Sequence, residues 1–528
     1  MRFPAIILMI TVFAFGCSDD SDGTGGTGGS GGSGGSGGTG GTGGAAGAGG
    51  NAGTGGAGGA GGATGLVVPE TYTFERDGVS TVAYTGQSTR QVLVSDMIEV
   101  MKTISDDVLG GQNLSNYDTA QKVYDRIAPL YDLGGEADTA RPIPSLLPDG
   151  EAALQATYAD LNTANLLGKT AGNDAITDHK VWTDPGVFVG WDAANLATNA
   201  NGDLGTVGSP EELIRAYLWT FAVQASDGAN GTPPIDAATA LYLTPDGLDL
   251  TQLLQKFVLG SVNFSQGADD YLDDFDDPGT PDDDEKGLLK PNVIDGDPYT
   301  GLEHHWDEGY GYWGAARDYS QYTDDEIAGS SGRPEYESGY FDSNGDDLID
   351  LESEFNFGAS VNAAKRDRGS VAGAETDFTA DADLAWRTGR AIIAAAYDAG
   401  EEVDFVALNE QRDVIVMTWE KAIAATAIHY VNDVLGDMDS IGTPDYSFAD
   451  HAKHWSELKG FALSLQFNPR SPLSDADFAA VHASIGDAPV GASPDSPFDD
   501  TDYRDALLEA RTTLGEAYDF DDANVAAW

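Results

Sequence analysis

Three short stretches carry side chains whose types and spacing could do chemistry. The first is Leu302-Glu303-His304-His305-Trp306-Asp307-Glu308. On a helix His305 and Glu308 stand three apart on one face, as do His304 and Asp307, so an imidazole and a carboxylate can reach one cation. Di-metal helical bundles use the mirrored Glu-x-x-His spacing for this purpose. The second is Asp450-His451-Ala452-Lys453-His454-Trp455-Ser456-Glu457. There His454 and Glu457 repeat the relation, and Asp450, four residues earlier, is placed to orient the second nitrogen of His454. In both stretches Trp directly follows the histidine. The chain has only seven histidines, so the recurrence singles out His305, Glu308, His454 and Glu457 as candidate ligands for a transition metal such as iron or zinc. The competing reading makes each histidine a core residue bonded to a neighbour. Polar groups of this kind are seldom buried alone, so the two pairs are expected to line one cavity.

The third stretch is Asp342-Ser343-Asn344-Gly345-Asp346-Asp347-Leu348-Ile349-Asp350-Leu351-Glu352-Ser353-Glu354. Asp342, Asn344, Asp346 and Asp350 offer side-chain oxygens at the positions an EF-hand-type calcium loop uses. Leu348 offers a carbonyl, Glu354 a closing carboxylate and Ile349 the apolar anchor. The pattern departs in two places. Asp347 stands where glycine makes the sharp turn, a conformation Asp tolerates. Ser353 occupies the closing position, and Glu354 comes one later. Bound Ca2+ would be structural, closing a long insertion; the competing reading is an acidic turn without an ion. No HExxH, CxxC, GxSxG or P-loop pattern occurs, which leaves zinc-protease, redox, hydrolase and nucleotide readings without a motif.

Helices must position these groups. Apolar residues recur at helical spacing over 91–105, 118–131, 152–167, 210–226, 250–261, 302–316, 381–399, 405–435, 448–465 and 502–513. Ser209-Pro210-Glu211-Glu212 is a complete helix start: cap, Pro in the first turn, then acids. Residues 71–84 alternate around Asp77-Gly78 as a small hairpin. The expected fold is all-α, a multi-helix bundle with an N-terminal β-hairpin. Residues 66–528 form the body, with helical halves at 66–322 and 376–528 and the acidic calcium-like insertion at 323–375. The run 269–285 is expected to be a surface loop. The apolar segment 414–431 carries Glu420 and Lys421 at its middle and reads as a buried helix, not a membrane span.

The N-terminus sets the compartment. Arg2 precedes a short apolar run, 6–15, which ends in Ala14-Phe15-Gly16-Cys17. That tetrapeptide resembles the lipobox of bacterial lipoproteins, with Ala14 where leucine is usual. Residues 1–16 then form a signal peptide, and Cys17, the only cysteine, is the lipidated residue. Gly, Thr, Ser and Ala dominate to residue 65, a composition that cannot bury a core and acts as a disordered tether. Ser18 after the cysteine leans toward the outer membrane, at its periplasmic face or the cell surface. The chain has 27 Lys and Arg against 87 Asp and Glu, a net charge of −60. That charge excludes nucleic acid as a partner, since phosphate binding needs cations.

Several stretches together resemble one bacterial lipoprotein family, the domain of unknown function 4856. They are Tyr72-Thr73-Phe74, Tyr84-Thr85-Gly86-Gln87-Ser88-Thr89-Arg90, His304-His305-Trp306-Asp307-Glu308, the segment 342–357, Lys365-Arg366-Asp367, and His454-Trp455-Ser456-Glu457-Leu458-Lys459-Gly460-Phe461. The family is distantly similar to imelysin-like helical lipoproteins, whose Gly-x-His-x-x-Glu motif is linked to iron uptake and, in older descriptions, to peptidase activity. His454 and Glu457 would be the counterpart pair, with Ala452 in place of the motif's glycine. The resemblance implies a membrane-anchored binding module for a metal or metal-bearing ligand, in iron acquisition, with an outer-membrane transport partner. The alternatives are an imelysin-type metallopeptidase, with Glu457 or Glu308 polarising a metal-bound water, and a calcium-stabilised helical scaffold. A binding role without turnover is the expectation, because a peptidase needs three ligands and a base while the sequence offers only pairs.

If Cys17 carries the anchor, Cys17→Ser moves the protein out of the membrane fraction or leaves its signal uncleaved. Fractionation with N-terminal sequencing checks this; unchanged membrane association with a normally processed N-terminus would refute it.

Overall fold

The computed structural model describes residues 65–132, 140–143, 146–147, 151–162, 164–172, 188–191, 196–197, 207–274, 287–490 and 500–528. The expected signal peptide, Cys17 and the tether up to residue 64 lie outside them, as does 275–285 of the acidic run.

The hairpin forms from β1 (Glu75–Arg76) and β2 (Val79–Ser80), antiparallel with Glu75 opposite Ser80. Its turn holds Asp77 at φ +53° and Gly78 at φ +77°, the two left-handed residues a tight hairpin needs. Everything else regular is helical: thirteen α-helices, with short 3-10 and π segments, make the described residues 58% helical, which sets the class as all-α. They are α1 (Thr85–Leu109), α2 (Ala120–Tyr131), α3 (Pro210–Ala229), α4 (Leu250–Val258), α5 (Gly301–Trp313), α6 (Asp324–Ile327) and α7 (Gly358–Arg368). After these come α8 (Phe378–Ala399), α9 (Phe405–Ser440), α10 (Phe448–Ser464), α11 (Asp475–Ile485), α12 (Asp500–Ala517) and α13 (Asp522–Ala527). The start of α3 is as the sequence reads: Ser209 Oγ accepts the Glu212 N–H at 3.1 Å, with Pro210 in the first turn.

Helices α6 and α7 form inside the expected insertion 323–375, α11 and α13 have no counterpart among the expected helices, and three further stretches differ from the sequence expectation. Residues 152–167 form no α-helix. The Leu154 N–H bonds the Ile349 carbonyl at 2.8 Å, and the Ile349 N–H bonds that of Ala152 at 2.9 Å, so this backbone pairs with the 342–354 loop. Helix α4 does not stop near residue 261; it widens into π-helical turns at Leu259–Phe264 and Gln266–Tyr271. The start of the acidic run is not a free loop either. Asp269 and Asp270 are buried in those turns, and Asp273 and Asp274 are held by Arg470 (3.0 Å) and Arg412 (2.9 Å).

One apolar core runs through both halves. Helix α9 lies at its centre, packed on α7, α8, α10 and α12, while α10 packs on α4 and α5 on α1 and α8. The segment 414–431 falls inside α9, as expected. Its Glu420 is fully buried and accepts from Tyr518 at 2.6 Å and from Asn468 and Ser471. Among the described residues no helix is long and apolar enough to cross a membrane. In α7, Asp367 caps the next helix, accepting the Phe378 and Thr379 N–H groups at 2.9 and 2.8 Å. Burial pushes its carboxyl up to about 7 despite those bonds.

Helices α5 and α8 interlock through glycine notches. Trp386 lies against Gly309, and Trp306 lies against Gly389, where an added Cβ would stand 2.0 Å from the indole. Between them runs a buried charge network. Arg390 of α8 donates to Glu303 (2.7 Å) and Asp307 (2.9 Å) of α5, and to the Thr81 carbonyl (3.1 Å) and hydroxyl (2.9 Å) beside the hairpin. The side chains of all three charged residues are 0% exposed. Tyr72 donates to Asp307 at 2.7 Å, Arg76 donates to Glu303 at 3.0 Å, and Glu303 caps its own helix through the Thr300 N–H at 2.7 Å.

Removing one partner of a buried ion pair strands the other charge, so Arg390→Met should cost about 3–5 kcal/mol. Chemical denaturation measures this; a loss below about 1 kcal/mol, the range of an exposed pair, would mean the network is peripheral.

Candidate functional site

Burial of Glu303 and Asp307 turns α5 so that the stripe one residue on, His304 and Glu308, is left half-buried and partly open to solvent. The pairing inside the motif therefore differs from the sequence reading. Asp307 belongs to Arg390 and not to His304. Glu308 lies near His304, with Nε2 and Oε2 3.7 Å apart, one helical turn away instead of three residues. Glu308 also accepts from Gln87 of α1 at 2.9 Å and from Tyr271 of the second π segment at 3.4 Å.

One nitrogen of His304 is committed. Its Nδ1 lies 3.0 Å from the Ala83 carbonyl, which can only accept. Nδ1 therefore donates to it, and Nε2 is the nitrogen that faces Glu308. Tyr299 stacks on the ring at 4.7 Å. A histidine fixed through its second nitrogen by a carbonyl is what a metal ligand requires.

Next to it, His305 edges against Tyr271 at 5.5 Å, and Tyr271 adjoins Tyr312 at 5.7 Å. The Nδ1 atom of His305 is buried without a hydrogen-bond partner. Burial pushes its pKa down to about 4; Asp270 pulls the other way, and Lys290, His304 and Lys169 add to the lowering. The imidazole therefore stays neutral at ordinary pH and keeps a lone pair to offer. Cations lie beside the same face. Lys169 lies 3.5 Å from Asp270 and 5.2 Å over the Tyr271 ring. Arg90 lies 5.9 Å over Tyr312, with Nε on the Asn165 carbonyl (2.7 Å) and Nη1 on that of Gly86 (3.1 Å). The π segments that pack on α5 also bury Asn263, whose amide finds no partner among the described residues. Unpaired buried groups and π turns both concentrate at functional sites.

The second motif is split. On α10, His454 turns to Asp437 of α9 at 2.8 Å and stacks with Tyr430, so Asp437, and not Asp450, orients it. Glu457 points to Lys256 of α4 at 3.3 Å, both fully buried. His451 sits on Tyr446 at 3.2 Å. His305 and Glu308 border α1 and the π turns, while His454 and Glu457 border α9 and α4; the contacts of the two pairs share no residue. Among the described residues no group of three or more His, Cys, Asp or Glu is placed to hold a metal ion. The four side chains expected at one cavity thus do not form one ligand set.

In the third stretch Asp347 takes φ +66°, the left-handed turn the pattern needed. Asp342 accepts the N–H groups of Gly345 (2.6 Å), Asp346 (3.2 Å) and Asp347 (2.8 Å). Glu354 accepts Ser343 (2.9 Å), Asn344 (3.2 Å) and Asp350 (2.9 Å). Asp350 accepts Gln155 at 2.7 Å. These carboxylates already fold the loop by hydrogen bonds.

Sequence reading missed Gln87, Arg90, Lys169, Tyr271 and Tyr312. Only the Tyr84–Arg90 stretch carried a signal: Gln87 and Arg90, three apart, share a face of α1.

Fold and site together define an all-helical protein with a half-buried face of mixed charge. The chain belongs to the family described as domain of unknown function DUF4856, whose model matches residues 69–128 and 214–480, more than half of its length. No curated protein and no solved structure matches it.

The histidine shifts have opposite signs. His305 is lowered from 6.5 to about 4, so the unfolded chain binds its proton first and stability falls as pH drops through that window. His454 is raised: burial lowers it, but the Asp437 hydrogen bond and charge outweigh that. Its contribution is complete below pH 6.5 and lost as pH rises through the folded value. His305→Gln should therefore gain on wild type in melting temperature from pH 7 down to pH 4, about 6 °C per kcal/mol in a small domain and less in this longer chain. His454→Gln should lose more at pH 5 than at pH 8. Parallel wild-type and mutant curves would discount both shifts.

Proposed function

We propose that the protein is a lipid-tethered, extracytoplasmic binding module that takes a transition metal at His304 and Glu308. The observation that carries this is the Nδ1–Ala83 contact of His304 at 3.0 Å, which orients the ring with Nε2 toward the Glu308 carboxylate. Two ligands about 2.0–2.2 Å from one ion stand roughly 3.0–3.5 Å apart, so the 3.7 Å separation needs a shift of only a few tenths of an ångström. An imidazole and a carboxylate suit iron or zinc, and iron acquisition is the role the imelysin resemblance favours. Two protein ligands without a dedicated base favour capture over peptide hydrolysis.

Calcium at 342–354 is a second, structural reading. The left-handed Asp347 favours it, and a carboxylate bonded to N–H groups keeps acceptor capacity for an ion.

One titration series tests both. Wild-type protein, freed of metal by chelator, should take up Zn2+ or Fe2+ at micromolar concentration, measured by dialysis and elemental analysis. His304→Ala and Glu308→Gln should abolish that uptake and leave Ca2+ binding intact; Asp342→Ala with Asp346→Ala should do the reverse. Absence of transition-metal uptake by wild type refutes the first reading. A melting temperature indifferent to Ca2+ refutes the second, since an ion at a hundred times its Kd stabilises by about 2.7 kcal/mol.

A further inference from the structure

The 342–354 loop is gripped by a residue far from it in sequence. Gln155 is 6% exposed, and its side-chain amide spends both ends on the loop. Nε2 donates to Asp350 Oδ1 at 2.7 Å, and Oε1 accepts the Leu351 N–H at 3.0 Å. The backbone just before it is paired as well, with Ala153 bridging Ile349 in parallel. Ile349 is the loop's apolar anchor and is buried. Asp350, the candidate ligand beside that anchor, is held at both oxygens: Oδ1 also accepts the Glu352 N–H at 2.9 Å, and Oδ2 accepts the Ser353 hydroxyl at 2.6 Å. The Asp350 N–H in turn holds the closing carboxylate, Glu354, at 2.9 Å. Two of the candidate calcium ligands therefore rest on the backbone that Gln155 grips. Gln155 is itself braced. The Ile143 N–H bonds the Ala156 carbonyl at 3.0 Å, and the Tyr158 N–H bonds that of Arg141 at 3.2 Å. Arg141 then pairs with Asp96 of α1 through Nε and Nη2, each at 2.7 Å, and the Tyr158 hydroxyl donates to the same carboxylate at 3.1 Å. A bidentate arginine–carboxylate pair is among the strongest of such bonds, so residues 151–158 are fastened to α1 on one side and to the loop on the other.

Resting on the calcium reading above, we infer that Gln155 is the positioning residue of the Ca2+ site. It aims the Asp350 carboxylate and, through the Asp350 N–H, the Glu354 carboxylate. The chemistry suits the role. A carboxylate that accepts from a neutral amide keeps its charge and further lone pairs for a cation, yet loses the freedom to turn away. Partners that orient a metal ligand in this way are worth roughly ten- to hundredfold in affinity. Gln155 lies in the stretch 129–213, outside the residues that the family model matches, whereas the loop lies inside them. The family-matched loop is thus completed by a part of the chain that the family model does not describe. A carboxylate at position 155 would still accept from Leu351 but would meet Asp350 as a like charge. Only a cation between the two relieves that repulsion, which makes the exchange of amide for carboxylate a direct probe of the site.

The test titrates Ca2+ into the full-length protein, first stripped with chelator, by calorimetry, and follows melting with and without the ion. Gln155→Leu should weaken Ca2+ binding roughly tenfold or more. Gln155→Glu should melt below Gln155→Leu in chelator and recover toward wild type when Ca2+ is added. A brace with no bearing on the ion would lower both melting temperatures by the same amount with and without Ca2+. That result, or an unchanged Ca2+ affinity in Gln155→Leu, overturns this inference and leaves the calcium reading standing. Where Gln155→Leu fails to fold, the recovery of Gln155→Glu by Ca2+ decides, and its absence overturns the inference. Wild-type protein that binds no Ca2+ overturns both.

Discussion

The buried charge of Arg390 constrains the rest of the structure. A guanidinium at 0% exposure is tolerable only if its donors are answered, and the acceptors come from two separate places, Glu303 and Asp307 of α5 and Thr81 beside the hairpin, while Tyr72 adds a second donor to Asp307. Burying a charge unpaired costs several kcal/mol, so α5, α8 and the hairpin are not free to slide or rotate independently. The glycine notches act in the same sense, because Trp306 and Trp386 can nest only at one register. Once Glu303 and Asp307 point inward, helical geometry alone sends His304 and Glu308 to the neighbouring face.

That face meets α1 and the π turns, which explains the composition of the site. A π turn holds about one residue more than an α turn, which breaks the regular apolar stripe, and polar side chains such as Ser261, Asn263 and Asp270 lie in the interior. The result is a polar seam along the core, flanked by Tyr271 and Tyr312 and rimmed by Lys169 and Arg90. The Arg390 network meets this stripe at Ala83, whose N–H donates to Asp307 at 3.3 Å and whose carbonyl holds His304 Nδ1 at 3.0 Å, so one backbone residue links the structural charges to the neighbouring face of the helix.

Much of this was legible in the sequence, and the failures have physical causes. The class, the hairpin turn at Asp77-Gly78 and the buried reading of 414–431 follow from local patterns. So does the importance of the stretch from Glu303 to Glu308. Its internal pairing does not, because the residue that decides it, Arg390, lies 83 positions beyond Asp307 with no spacing rule to connect them. The end of α4 was misplaced for a related reason: π turns break the 3.6-residue period on which the reading depends. Helix α7 went unseen because 323–375 was taken as one acidic insertion, although Lys365, Arg366 and Asp367 are all buried in that helix. Residues 152–167 read as helix because periodicity cannot see that their backbone pairs with the 342–354 loop.

The two charge systems also show how structural and functional polar groups differ. In the Arg390 network each carboxylate accepts from two or more donors, two carboxylates are balanced by Arg390 and Arg76, and the network is closed. Fully satisfied networks of this kind specify a packing and leave nothing to offer a ligand. On the neighbouring face the accounts stay open: His304 has one nitrogen bonded and one turned to Glu308, His305 has a buried nitrogen without a partner, and Arg90 has a donor unused. The 342–354 loop lies between these cases, its carboxylates bonded to their own backbone but still able to accept. Exposure alone does not separate the three, since His454 is as accessible as the α5 histidines and yet is committed to Asp437. What separates them is unspent bonding capacity held rigidly in place, and α5 concentrates it on the face that Arg390 does not use.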